Sequence, residues 1–110
     1  MSIDSVVADV VTVDVVTDRM SVVNVVGDLD LRAVQADTKL IRLRLDPPRH
    51  LRIDARQATF IDSNGLAALA AVALAVRKNG GTVSTKASTP VRRLLEICGL
   101  ELHLGLRAKK

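Results

Sequence analysis

Residues 59–66 read Thr59-Phe60-Ile61-Asp62-Ser63-Asn64-Gly65-Leu66, and here one periodicity gives way to another. Upstream, Leu51, Ile53 and Ala55 alternate with Arg52 and Asp54, the period of two expected of a half-buried strand that continues towards Phe60. Downstream, Leu66, Leu69, Ala73 and Val76 fall on one face of a helix that runs to about Lys78. Asn79-Gly80-Gly81 then supplies a left-handed exit. The polar cluster between the two patterns is where a strand hands over to a helix, and either Ser63 or Asp62 can serve as its N-cap.

The same reading extends in both directions. Over 10–16, Val11, Val13 and Val15 alternate with Thr12 and Asp14, and 22–26 is a second β-branched run stopped by Gly27. A helix is expected over 31–45, with Val34, Ile41 and Leu45 near helical spacing, ended by Pro47-Pro48. A short strand over 82–86 follows the central helix. Thr89-Pro90 then opens a helix that carries Val91, Leu94, Leu95 and Cys98 and closes at Gly99. Leu102, Leu104 and Leu106 mark a terminal fifth strand. The order ββ-α-β-α-β-α-β describes an α/β fold: a small mixed sheet of four to five strands with three main helices, packed on one main face.

The chain has 110 residues and 11.8 kDa, the size of a single domain, 1–110, with one core. Hydrophobic residues make up 48% and charged ones 25%, a globular rather than a disordered balance. With one Phe, no Trp and no Tyr, the core is aliphatic, and nucleic-acid modules that stack bases on aromatic platforms are disfavoured. Cys98 is the single cysteine, so neither an internal disulfide nor a cysteine-based zinc site can form, which suits a reducing, cytoplasmic setting. Met1-Ser2-Ile3-Asp4-Ser5 lacks the basic start of a signal peptide. The longest charge-free run, 63–76, has 14 residues, against about 20 for a membrane span. The net charge of +4 is spread out, with Arg42, Arg44 and Arg52 alternating with apolar residues as on a solvated surface.

Catalytic chemistry finds no foothold. His50 and His103 are far apart and lack metal-ligand spacing. Ser63 follows Ile61-Asp62 and so lacks the G-x-S-x-G nucleophile elbow. Gly80-Gly81 follows a helix rather than opening one, which is not a phosphate cradle. No metal, cofactor or enzymatic activity is expected. Cys98, beside Ile97 and Leu94, reads as a buried, inert thiol. Capping alone accounts for the polar residues at 62–64. The same place has a second property, because the positive end of a helix dipole tolerates a phosphate: phosphoserine could form there without unfolding the domain, adding nearly two negative charges to the surface.

Three stretches resemble the STAS family, and within it the bacterial anti-anti-sigma factors (anti-sigma factor antagonists). Gly27-Asp28-Leu29-Asp30 is similar to the family's G-x-L-D turn, residues 60–66 to its phosphorylation loop F-[MI]-D-S-[ST]-G-L, and 88–100 to its S-x-P-x-V-x-x-[LIV] helix with a closing G-L. The likeness extends over about 10–106, and these three stretches carry it. The resemblance implies the STAS fold and a regulator that works by partner switching. Such a protein binds an anti-sigma factor that is also a serine kinase and so releases a sigma factor. Phosphorylation abolishes the binding and a serine phosphatase restores it, with ATP handled by the kinase alone. By position, Ser63 is the implied phosphoacceptor, and Asp28, Asp30, Asp62, Ser63, Asn64 and Gly65 the implied partner-binding residues. Asn64 stands where the family usually has Ser or Thr, leaving Ser63 as the only hydroxyl of the loop. STAS domains also serve as subunits of lipid-transport ABC complexes or as scaffolds in stress signalling, which gives the alternative to a phosphorylation switch.

Overall fold

The computed structural model describes residues 9–106; the Met1–Ser5 start considered above lies outside them. The elements are β1 (Val11–Val15), β2 (Met20–Leu29), α1 (Leu31–Ala36), α2 (Lys39–Leu45), β3 (His50–Ile61), α3 (Ser63–Lys78), β4 (Thr82–Ala87) and α4 (Thr89–Ile97). The strands lie in the order β1-β2-β3-β4, with β1 and β2 antiparallel and β2, β3 and β4 mutually parallel. A parallel pair needs a crossover: α1 and α2 connect β2 to β3, and α3 connects β3 to β4. The sheet is mixed, as the element order implied.

Side-chain alternation separates the two faces of this sheet. Val23 and Val25, Leu51, Ile53 and Ala55, and Val83 and Thr85 are buried on one face. Against them lie Leu66, Leu69, Val72, Ala73 and Val76 of α3, all buried and all part of one aliphatic core. The intervening residues, Val22 and Asn24, Arg52 and Arg56, Ser84 and Lys86, are exposed or half-exposed on the other face. One face is a core wall and the other meets water.

Several sequence expectations are corrected. The helix over 31–45 is two helices, because Asp37 adopts extended backbone (φ −91°, ψ 141°) and its carboxylate accepts from the Leu40 N–H at 2.8 Å. The break resets the helical phase: Leu40 becomes the buried residue, whereas Ile41 and Leu45 stand 50% and 76% exposed. Gly27 does not stop β2. It sits at an irregularity in the pairing with β3, and its φ of +89° lets the strand kink and continue to Leu29. Val15, expected to face inwards, is exposed near the edge of the sheet.

No fifth strand forms among the described residues. Residues 101–106 are turns, joined to β4 by one bridge between Thr85 and Leu106. The Thr85 N–H donates to Gly105 O and its hydroxyl to Leu104 O. Leu104 and Leu106 are buried, Leu102 is not, and the segment caps the outer edge of β4. In α4 the buried positions are Val91 and Leu95. This phase leaves Leu94 half-buried and turns Ile97 and Cys98 outwards, so Cys98 is an exposed thiol and not a buried one. Thr89 is the first helical residue, and Ser88 before it donates its hydroxyl to Ala58 O on β3.

The register of α3 predicts a contrast in stability. Leu69→Ala opens a cavity beneath the sheet and should cost about 2–5 kcal/mol. Leu74→Ala, at an exposed position of the same helix, should cost less than about 0.5 kcal/mol. Urea denaturation of both variants checks the difference.

Candidate functional site

Because β2 and β3 are parallel, their last residues, Leu29 and Ile61, end side by side. Each is followed by an aspartate that caps the next helix. Asp30 Oδ1 accepts from the Ala33 N–H at 3.0 Å at the start of α1. Asp62 Oδ1 accepts from the Gly65 N–H at 2.9 Å at the start of α3. The second oxygen of Asp62 accepts from the Leu31 N–H, also at 2.9 Å, which is the first residue of α1. One carboxylate thus serves the N-termini of two helices and ties them together. The choice of cap left open by the sequence is resolved: Asp62 caps, and Ser63 is the first helical residue.

The junction is also tight. The Asp62 N–H donates to Leu29 O at 3.2 Å. A Cβ on Gly65 would lie 2.2 Å from Leu29 O and 2.8 Å from the Leu29 side chain. Only glycine lets the first turn of α3 press this closely on β2. Gly65, expected among the residues facing a partner, is therefore buried, and its part is to seat the helix.

Seating α3 in this way leaves Ser63 and Asn64 exposed, and no hydrogen bond to the Ser63 hydroxyl is present among the described residues. Asp28 is exposed on the neighbouring strand, where its carboxylate accepts from the Thr59 hydroxyl of β3. Asp30, Asp62, Ser63 and Asn64 thus lie just beyond the carboxyl ends of parallel strands, the place where open α/β sheets bind ligands, and Asp28 lies within β2 one residue before its end. Both oxygens of Asp62 are committed to N–H donors. The Gly65 N–H, opposed in part by desolvation and joined by those of Leu31 and Asn64, holds its carboxyl below the ordinary value. A carboxylate held this way is a poor general base. The site presents a hydroxyl without activating it.

Two features of the surroundings escaped the sequence. Arg32 and Gln35 of α1 join Asp30, Leu31 and Asp62 around a shallow depression. A groove between α2 and α3 starts at Asn64 and runs past Ala67 and Ala71, with Ile41 and Arg44 opposite. The low alanine ridge of α3 signals such a groove. Its other wall depends on the phase of α2, which the break at Asp37 conceals.

The depressed Asp62 carboxyl gives a pH prediction with a definite sign. In the unfolded chain this group takes up its proton at higher pH than in the folded protein, so its stabilisation is present above about pH 4 and lost as pH falls through the folded value. Asp62→Asn removes that ionisation. Between about pH 5 and about pH 3 the variant should lose less stability than the parent, although it is the less stable of the two at neutral pH. Denaturant titrations across this range measure the slope.

The family model described as Mlab, STAS domain, matches residues 13–106. No curated protein matches the chain closely. Among solved structures, an anti-sigma factor antagonist from Mycobacterium paratuberculosis is 30% identical, with a TM-score of 0.73 over 90% of this chain and 85% of that one. The anti-sigma factor antagonist SpoIIAA in its unphosphorylated form is 18% identical, with a TM-score of 0.73 over 90% of this chain and 89% of its own. The Bacillus cell fate determinant SpoIIAA in the phosphorylated form is 20% identical, with a TM-score of 0.67 over 90% and 92%. The family match spans 13–106, most of the chain: this chain belongs to the STAS-domain family.

Proposed function

We propose that this protein is an anti-sigma factor antagonist that works by partner switching in the cytoplasm. It binds an anti-sigma factor that is also a serine kinase and thereby releases a sigma factor. Phosphorylation of Ser63 inactivates it, and a serine phosphatase restores it. The chain is not itself an enzyme; ATP and phosphoryl transfer belong to the kinase. Asp28, Asp30, Asp62 and Asn64 form the surface around the acceptor, and Gly65 fixes its height above the sheet.

The observation that carries this reading is the placement of Ser63. Its hydroxyl is exposed at the first position of a 16-residue helix, while the capping task falls on Asp62. A phosphate can be added there and removed without dismantling a cap, and the helix dipole favours its charge. At the start of α4 the Ser88 hydroxyl is engaged with Ala58 O, and Thr89, the first helical residue, has no side-chain cap hydrogen bond before it. Two of the similar structures bear on the same point, being SpoIIAA without and with phosphate. A dianion at Ser63 lies among Asp28, Asp30 and Asp62, so a partner docked on this surface has to desolvate it beside other negative charges.

A penalty of about 3 kcal/mol weakens binding more than a hundredfold. Ser63→Ala should therefore fold normally, bind the kinase constitutively and accept no phosphate. Ser63→Asp, with one charge and fewer oxygens, should reproduce the off state in part. Phosphopeptide mass spectrometry after incubation with kinase and ATP, with binding titrations of each variant, tests this. Phosphate on Ser88 or Thr89 instead, or equal affinity before and after modification of Ser63, contradicts it. Stable association with a lipid-transport ABC complex or a stress-signalling scaffold, indifferent to Ser63→Asp, favours the alternative role of STAS domains as subunits or scaffolds.

A further inference from the structure

We propose that the outer edge of β1 pairs with the same edge of a second copy of this chain, antiparallel and about a two-fold axis at Val13, so that two four-stranded sheets become one. The two edges of the sheet differ. The edge at β4 is capped by residues 101–106, through Thr85, Leu104 and Leu106. The edge at β1 is open among the described residues. The Val16 N–H donates to Met20 O and the Val26 N–H to Val10 O. Val10, Thr12, Asp14 and Val16 therefore turn their backbone groups towards β2, and Val11, Val13 and Val15 turn theirs outwards. None of those outward groups has a hydrogen-bond partner among the described residues. The strand also lacks the devices that protect an edge. No lysine, proline or bulge interrupts Val11–Val15, and the Asp14 carboxylate is turned back onto its own sheet, where it accepts from Asn24 Nδ2 at 2.9 Å.

A second copy is the occupant because this strand complements itself. With Val13 opposite Val13, Val11 meets Val15 at both ends, and each of these pairs exchanges two backbone hydrogen bonds. On the open face Asp14 then lies opposite Thr12, whose hydroxyl can donate to it. A slide of two residues one way sets Asp14 against Asp14, a like-charge pair. A slide the other way sets Asp14 opposite Val10 and carries Val15 past the start of the strand. The same pairing accounts for an exposed valine. α2 lies over the start of β1, where Lys39 Nζ meets Asp9 at 3.2 Å and Val11 is buried. Val15, at the other end on the same side of the strand, is 74% exposed. The two-fold brings the start of the second β1, with its α2, beside Val15. It also reverses strand direction, so the two Ser63 surfaces lie at opposite ends of the joined sheet and stay open. The inference is thus independent of the proposed switch.

A single strand edge is small beside a permanent interface, so the dimer is reversible: sedimentation velocity of the full chain from about 5 to about 500 μM should show monomer giving way to dimer. The Thr12–Asp14 contact occurs twice in the pair. Thr12→Lys should therefore lower the dissociation constant about threefold or more, and Thr12→Asp should raise it about fivefold or more. Val13→Pro removes an outward N–H and no bond to β2, and should stay monomeric at every concentration. Amide hydrogen exchange gives an independent readout on the unmutated protein. The Val11, Val13 and Val15 amides should be protected at high concentration and exchange fast at low, whereas those of Thr12 and Asp14, which face β2, stay protected at both. Three results overturn the proposal: monomer throughout, a dimer indifferent to the charge at position 12, or protection of the three valines that does not depend on concentration, the mark of a segment of the same chain on that edge.

Discussion

The carboxylate of Asp62 is the constraint on which the functional end of the molecule depends. It accepts from the Gly65 N–H of its own helix and from the Leu31 N–H of another, so α1 and α3 begin at fixed positions relative to each other. Two parallel strands make this possible by ending together at Leu29 and Ile61, and Gly65 completes it by allowing backbone contact with Leu29. Each N–H so engaged would otherwise be an unsatisfied donor at a helix start. The exposed serine is a by-product of this arrangement: because Asp62 does the capping, Ser63 has no structural duty.

In the proposed switch, that division of labour lets the phosphorylated residue sit in the middle of a rigid junction. Phosphorylation sites commonly lie on mobile loops, where the added charge acts by ordering or disordering a segment. Here the hydroxyl projects from the first turn of a long helix whose inner face is buried in the core. In the proposed switch the phosphate changes what the surface repels and leaves the fold as it was. The groove between α2 and α3 begins at the neighbouring Asn64, so a partner seated there would meet the modified serine directly.

The sequence disclosed this site more fully than it disclosed the fold around it. The strand over 50–61, the helix from 63 and its face of Leu66, Leu69, Ala73 and Val76 are legible because local period and burial agree along the whole stretch. The broken helix is not, because the Asp37–Thr38 interruption lies within a run whose apolar residues still suit one continuous helix. A single capping hydrogen bond, from the Leu40 N–H to Asp37, decides between the two. Leu102, Leu104 and Leu106 alternate like a strand, yet the ladder is limited to one bridge, and turns bring Leu104 and Leu106 inwards. Cys98 illustrates the same point in a helix: an apolar neighbourhood in sequence does not fix helical phase, and Val91 with Leu95 took the inner face. The role of Gly65 was hidden for another reason, since its contact is with a residue 36 positions earlier in the chain.

The most direct test concerns whether phosphate is accommodated by the junction as found. With phosphoserine installed at position 63 of the full chain, amide hydrogen exchange can be followed at Leu31 and Gly65, the two donors to Asp62. The account predicts that both remain as protected as in the unmodified protein, because the caps are made by Asp62 and the added charge lies outside them. Faster exchange at both amides after phosphorylation would contradict it, showing that the modification acts by opening the helix starts and not by altering the surface they support.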